Sequence, residues 1–397
     1  MVIFLIDGST QIVGLIAISV YGEDKIGIIH EISKALADCK CNIVDIEQTV
    51  LQGMFVMFIV AELGDEKCVM QKLSNAAKRI DVKISISPFA RRRLDKKNLY
   101  VVTVLGEDRI GIVRDITKTF LELEINIERT SLTARDKLIS IEFVIDMGNN
   151  DPKIVKEILK RESEKLDLDI VIQPYDLFKK EKRLIVFDMD STLVDAEIID
   201  ELAKEAGVLK EVRNLTNRAM EGKISFKEAL KERVKLLEGL PVEVLEKIYS
   251  KIKLTDGAKE LIKSLKDAGY KVAVISGGFS YFTEKLKDEL NLDYAFGNEL
   301  EIKNGKVTGR IRGRIIDARE KARIIEEIAK REGIKTENIV AVGDGANDKL
   351  MIEKAGLGIA FNAKEILKEA ADGNISKRNL IGIASILKLP SEFRKRI

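Results

Sequence analysis

Two segments of the chain repeat one another at a constant spacing, and this restricts the fold more than any single motif. YGEDKIGIIHEISKALADCKCNIVDIEQT starts at Tyr21 and LGEDRIGIVRDITKTFLELEINIERTS at Leu105, so Gly22 meets Gly106, Gly27 meets Gly111 and Asn42 meets Asn126, each 84 residues on. A fixed offset over so long a stretch signals duplication. Each copy reads as a strand (GLIAISV; LYVVTVL), a Gly-bearing turn and an amphipathic helix (IGIIHEISKAL; IGIVRDITKTF). Two strands follow, the second being MFVMFIVAEL or LISIEFVIDM, then another helix and a short strand (VKISIS; LDIVIQP). That βαββαβ order predicts two ferredoxin-like units. The glycines are expected to supply positive φ in tight turns.

The Gly-x-x-x-x-Gly turn and the Asn opening the second strand resemble ACT domains over roughly residues 12–176. The resemblance implies amino-acid-sensing modules that bind L-serine or another amino-acid effector. Many ACT modules carry Pro before the second Gly; Ile26 and Ile110 stand there in this chain. The charged runs ARRRLDKKN (from Ala90) and FKKEKR (from Phe178) read as solvated linkers. The division expected is 1–93, 98–178 and 179–397, and 397 residues are enough for two or three domains.

Composition excludes several classes. Lys+Arg 67 against Asp+Glu 65 gives a net charge of +2 and the pI is about 8.1, below the ~9 of a dedicated nucleic-acid domain. No run reaches the roughly 18 apolar residues of a membrane span. The apolar opening MVIFLID lacks a basic n-region and a cleavage site, so a cytoplasmic protein is expected. Three cysteines fit a reducing compartment. Cys39 and Cys41 fall in slots that hold Leu123 and Ile125 in the second copy, and no partner at metal-ligand spacing accompanies them. The single histidine, His30, aligns with Arg114 and reads as a surface residue, so His-dependent nucleophilic schemes have little to draw on.

From Arg183 onward, RLIVFDMD, KVAVISGG and NIVAVGDG are β-branched runs, each ending in an Asp, Ser or Gly motif and each followed by helical periodicity. Such runs predict buried parallel strands of a Rossmann-like doubly wound α/β sheet. Their C-terminal ends line one crevice in such a sheet, so Asp188, Ser276 and Asp344 should converge. GDGAND is not a dinucleotide fingerprint, because Asp348 stands where the third glycine belongs.

The ordered set DMDST (188–192), SGG (276–278), Lys321 within AREKARII and GDGANDKLM (343–351) resembles the haloacid-dehalogenase superfamily of phosphatases. That resemblance makes Asp188 the nucleophile, forming an aspartyl-phosphate, and Asp190 the general acid and base. Ser276, the Gly277 amide and Lys321 would hold the phosphoryl oxygens. Asp188, the Asp190 carbonyl and Asp344 would bind Mg²⁺, with Asn347 and Asp348 orienting Asp344, the metal and Lys321. Asp195 is expected to begin the next helix, as an N-cap or first-turn acid.

Between the first two motifs, residues 196–253 show helical periodicity and predict a cap of four short helices closing over the crevice. VDAEIIDELAKEAG, AMEGKISFKEALKERVKLL and VISGGF narrow the resemblance to the phosphoserine phosphatase family over roughly residues 183–390. It implies that Arg233 takes a substrate carboxylate and Glu197 its ammonium, with Met220 and Phe226 shielding the site and Ser276, Gly277 and Asn347 completing it. The NGK turn at Asn304 reads as a β-hairpin with a structural role. O-phosphoserine hydrolysis at the end of serine biosynthesis, by a homodimer with no nucleic-acid or membrane partner, is the expectation. Another small phosphomonoester, phosphoryl transfer onto homoserine, or an ACT-based amino-acid sensor are the alternatives.

Overall fold

The computed structural model describes residues 3–4, 14–90, 97–135, 138–376 and 379–389; most of the first linker and the apolar opening lie outside them. The chain separates into two compact units, one up to residue 96 and one from residue 97.

In the first unit, β1 (Ile3–Phe4), β2 (Leu15–Glu23), α1 (Ile28–Asp38), β3 (Asn42–Leu51), β4 (Met54–Glu62), α2 (Glu66–Ile80) and β5 (Val82–Phe89) form a sheet of order β1-β5-β2-β4-β3. β2 to β5, with the two helices, are the predicted βαββαβ unit. Alternation in β2 and β4 puts Ile16, Ile18, Phe55, Met57 and Ile59 against Ile32, Leu36, Val69 and Leu73 of the helices. Gly27 takes φ 97° at the start of α1, and Gly111 takes φ 101° at the matching place. The expectation fails at Gly22 and Gly106, which lie inside strands; a Cβ on Gly106 would come within 2.4 Å of Leu168 Cδ2, so close approach explains that glycine.

Cysteine usage also departs from expectation. Cys39, at the end of α1, forms a disulfide with Cys68 in the first turn of α2. The second copy has Leu123 and, counting from the helix caps Asp65 and Asp151, Ile154 there, so comparing repeats hides the pair. Cys41 is buried and free, with the Gly64 N–H directed at its sulfur at 3.2 Å. His30 is exposed, as predicted.

The second unit begins with the other repeat: β6 (Leu99–Glu107), α3 (Ile112–Glu122), β7 (Asn126–Arg135), β8 (Leu138–Asp146), α4 (Pro152–Lys165) and β9 (Asp169–Pro174). A short α5 (Tyr175–Phe178) leads to β10 (Leu184–Phe187). Four helices follow, α6 (Ile198–Glu205), α7 (Leu209–Met220), α8 (Phe226–Lys235) and α9 (Glu243–Tyr249). The remainder is α10 (Ala258–Asp267), β11 (Lys271–Phe279), α11 (Ser280–Leu290), β12 (Tyr294–Lys303), β13 (Lys306–Arg312), α12 (Ala318–Glu332), β14 (Ile339–Gly343), α13 (Lys349–Lys354), β15 (Leu357–Phe361), α14 (Glu365–Ala370), β16 (Gly373–Ile375) and α15 (Gly382–Ile386).

Its eleven strands share one sheet, β13-β12-β11-β10-β14-β15-β16-β9-β6-β8-β7. From β12 to β16 all neighbours are parallel, with β10 between β11 and β14. Both faces of β10 are covered: Leu184 and Val186 pack with Ile324, Ile325 and Ile328 of α12, and Ile185 and Phe187 with Leu261, Leu265 and Phe282 on the other side. This is the doubly wound arrangement that the β-branched runs predict. Asn304 and Gly305 both take positive φ in the two-residue loop joining β12 to β13, as a type I′ turn requires. The hairpin supports the cap: Val307 N–H donates to Leu240 O and Gly239 N–H to Val307 O.

The outer face of the second repeat is not solvated. Leu105 and Val171 belong to the same core as Leu380, Ile381 and Ile383, and β9 meets β16 antiparallel at Val171 and Gly373. The second repeat therefore continues the parallel sheet, and the predicted linker near residue 180 folds tightly: Lys182 Nζ donates to Leu177 O and Glu337 O.

Candidate active site

β10 ends at Phe187, and the next residue, Asp188, is 3% exposed at the sheet rim. Its N–H still pairs with Val342 O of β14, so strand geometry fixes the carboxylate's origin. The chain then coils: the N–H groups of Leu193 and Val194 both donate to Met189 O, and Ser191 sits at φ 56°. This turn brings Asp190 back over the rim. Its Oδ1 accepts from Ile198 N–H at the start of α6 (3.0 Å) and its Oδ2 from Ser276 Oγ (3.3 Å).

Asp195 neither caps α6 nor lies in its first turn. Its N–H donates to Lys253 O while Val194 pairs with Leu254, so Asp195 belongs to the two-stranded neck where the cap enters and leaves. The α6 N-cap position is taken by Glu197, without a side-chain cap bond, and Asp190 satisfies the first helical amide instead.

Lys321, on α12, is fully buried, with Nζ 2.7 Å from both Asp188 Oδ1 and Asp348 Oδ1. Burial opposes its charge, but Asp188 and Asp348 outweigh that and hold the ammonium protonated. Its basic neighbour Arg323 instead pairs with Glu320 and Glu327 on the helix exterior. Asp348 is fully engaged, because Oδ2 also accepts from the Asp344 and Gly345 N–H groups. It therefore aligns both Lys321 and the Asp344 backbone.

One oxygen each of Asp188, Asp344 and Asp348 lie within 4.8 Å of one another. Two charges ~4 Å apart repel by ~4 kcal/mol at an effective dielectric of ~20. Burial, reinforced by Asp348, raises the Asp188 pKa well above the carboxylate range. Burial and the same neighbour push Asp344 up to about 7; burial and Glu197 push Asp190 up to about 7. One buried lysine does not balance these acids, and the hard oxygen donors fit a small divalent cation. With Asp348 committed elsewhere, the carboxylates of Asp188 and Asp344 remain available to it. The Asp190 side chain is turned to Ile198 and Ser276, which leaves its backbone carbonyl as the donor to consider.

Above the rim lies a cavity of about 610 Å³ lined by acids and by the cap. Ser276, with no exposed surface, accepts the Gly278 N–H at 2.8 Å. A Cβ on Gly278 would fall 2.7 Å from Asp190 Oδ2, so only glycine permits this approach. Gly277, Glu197, Phe226 and Asn347 line the wall, as does Met220 at the end of α7. Arg233 reaches it from α8, held by Ala229 O (3.3 Å) and Thr216 Oγ1 (3.2 Å) and 8% exposed. Of the expected site residues, Asp188, Asp190, Glu197, Met220, Phe226, Arg233, Gly277, Asp344 and Asn347 line this cavity, and Ser276 and Lys321 lie buried beside it.

Residues 182–356 match the haloacid dehalogenase-like hydrolase model and residues 15–87 the ACT domain model. A phosphoserine phosphatase of Archaeoglobus fulgidus is 71% identical over 344 residues, 87% of this chain and 100% of that protein. One from Streptomyces coelicolor is 36% identical over 91% of this chain and 89% of its own length. The chain belongs to the phosphoserine phosphatase family. A phosphoserine phosphatase of Methanocaldococcus jannaschii, 54% identical, aligns over its whole length with 53% of the chain. Among solved structures, a haloacid-dehalogenase family hydrolase from Salmonella enterica superposes with TM-score 0.67 at 30% identity, over 74% of this chain and 99% of its own. A probable phosphoserine phosphatase from Vibrio cholerae gives 0.58 at 32% identity, over 75% and 89%.

Two supports of this phosphatase site escape the motif reading. Asn298, fully buried in β12, donates to Gly277 O (2.7 Å) and accepts from Ile316 N–H (2.8 Å), fixing the SGG turn against α12's entry. A polar residue inside the strand YAFGNELEIK is the signal that could have revealed it. Thr216, which orients Arg233, lies on a helix surface and gives no such signal.

Proposed function

We propose that this phosphatase hydrolyses O-phospho-L-serine to L-serine and phosphate, the last step of serine biosynthesis, with Mg²⁺ and an aspartyl-phosphate intermediate. The observation that carries the reading is one cavity with Asp188 and Asp190 at its floor and Glu197 and Arg233 on its wall. Bidentate Arg233 suits the substrate carboxylate, Glu197 its ammonium, and the Asp188 carboxylate attacks phosphorus. Asp190, near neutrality and hydrogen-bonded to Ser276, can give a proton to the departing serine oxygen and take one from the hydrolytic water. Gly277 on the wall, with Ser276 and Lys321 buried beside it, would hold the phosphoryl oxygens, while Asn347 completes the wall and Met220 and Phe226 close it. Mg²⁺ held by Asp188, Asp344 and the Asp190 carbonyl would offset the repulsion between these acids and a dianionic ester.

The three-part division 1–93, 98–178 and 179–397, with a cap at about 196–253, an effector at the ACT modules and a homodimer belong to the same reading. The test is phosphate release from O-phosphoserine with Mg²⁺ and with chelator, against a panel of phosphomonoesters lacking the carboxylate. Strong preference for O-phosphoserine, lost with chelator, supports the reading; a flat profile overturns the substrate assignment.

A further inference from the structure

Lys364 lines the catalytic cavity and lies outside every sequence motif that defines the site. It follows β15 after a turn in which Asn362 takes φ 46°, and its backbone N–H donates to Asp344 O at 3.1 Å. The residue is thus tied to the rim acid through the main chain. Its side chain runs upward: Nζ lies 3.9 Å from Met220 Sδ, at the tip of the cap helix α7. Among the described residues no carboxylate lies at ion-pair distance from this ammonium, unlike Lys321 below it.

The cavity presents a problem to an anionic ester. Asp188, Asp190, Glu197, Asp317 and Asp344 line it and outnumber the cations Arg233, Arg319 and Lys364, and the buried ammonium beneath is already shared between two of the site's acids. A phosphate dianion approaching from water meets negative potential first. A cation at the mouth, held where core and cap meet and not consumed by an acid, reverses the sign of the field there, and charged cleft entrances change capture rates in this way.

Resting on the phosphatase reading above, we infer that Lys364 is a positioning residue that admits the phosphate dianion at the seam between core and cap. It acts on capture and not on the bonds that form and break. Its effect therefore belongs to kcat/KM, and it weakens as salt screens the mouth, since the Debye length falls from roughly 17 Å at ~0.03 M to about 4 Å at ~0.5 M ionic strength.

The test uses the full chain with Mg²⁺, comparing wild type with Lys364→Met, which keeps an unbranched stem against Met220 but removes the charge, and with Lys364→Arg. Phosphate release is measured for O-phosphoserine and for p-nitrophenyl phosphate at both ionic strengths. At low salt Lys364→Met is expected to lose about tenfold in kcat/KM on both esters, with kcat within about twofold. At high salt the gap narrows to about twofold, and Lys364→Arg stays close to wild type throughout. A loss equal at both ionic strengths, an equal fall in kcat and kcat/KM, or no change at low salt overturns the inference. Turnover of p-nitrophenyl phosphate without turnover of O-phosphoserine would overturn the substrate reading alone, while the salt comparison still decides the role of Lys364.

Discussion

Asp188 combines two properties that solvent would keep apart: it is almost fully buried, and it must be anionic to attack. Lys321 at 2.7 Å favours the anion but leaves the Asp188 pKa raised, so a divalent cation beside it would complete the neutralisation. Asp188→Asn keeps the volume and the Lys321 contact while removing the nucleophile, so phosphate release is expected to fall by at least about 10³-fold with an unchanged melting midpoint. Retained turnover would exclude Asp188 as the nucleophile. Arg233 acts on binding: Arg233→Ala should raise KM for O-phosphoserine by about tenfold to a hundredfold, the worth of a charge-assisted bidentate contact. KM for esters without a carboxylate should move little, and an equal rise for both would make Arg233 a packing residue of the cap. Asp188, Ser276 and Asp344 were legible because buried parallel strands must end at one rim. Asp195 was misread because its neighbours belong to the neck of the cap, a pairing between residues about 60 positions apart that no local pattern encodes.

At the level of elements, alternation within strands revealed both repeats, and helical periodicity revealed the cap. What the pattern missed was where one repeat differs from its copy. In the first, α1 and α2 are joined by the Cys39–Cys68 disulfide across a separation of 29 residues; a loop of that size corresponds to about 3–4 kcal/mol in the chain-entropy account. Reducing agent, or Cys68→Ala, is therefore expected to lower the unfolding midpoint of the first unit and to leave phosphate release unchanged at temperatures below it. Calorimetry of the full chain with and without reductant reads this directly. Coincident traces would mean that the two thiols are not joined in solution.

The molecule as a whole uses its duplicated module in two ways, and the strands β4 and β8 show the difference. In MFVMFIVAE, Met54, Val56 and Phe58 on one face stay exposed; in LISIEFVID, the equivalents Ser140 and Glu142 are 1% and 2% exposed. The second repeat keeps its face buried because the catalytic core covers it. Glu142 pairs with Lys388 at 2.9 Å, Asp169 accepts from the Ser376 backbone and hydroxyl, and Ile172 N–H reaches Asp372 O. Leu105 and Val171 complete the contact from the apolar side; burying each contributes ~1.5–3 kcal/mol. Lys160 on α4 further pairs with Glu365, whose neighbours Lys364 and Ile366 line the active-site cavity. No helix among the described residues is long and apolar enough to cross a membrane. The two modules should therefore respond differently to removal. A chain starting at residue 97 is expected to keep its melting midpoint and its kcat within about twofold, because the first unit folds around its own core. A chain starting at residue 179 loses the cover over Leu380, Ile381 and Ile383 and should melt at least 10 °C lower, the shift expected when several kcal/mol are removed from a domain of this size. Equal midpoints for the two truncations would show that the second repeat is a free regulatory appendage and not part of the catalytic sheet.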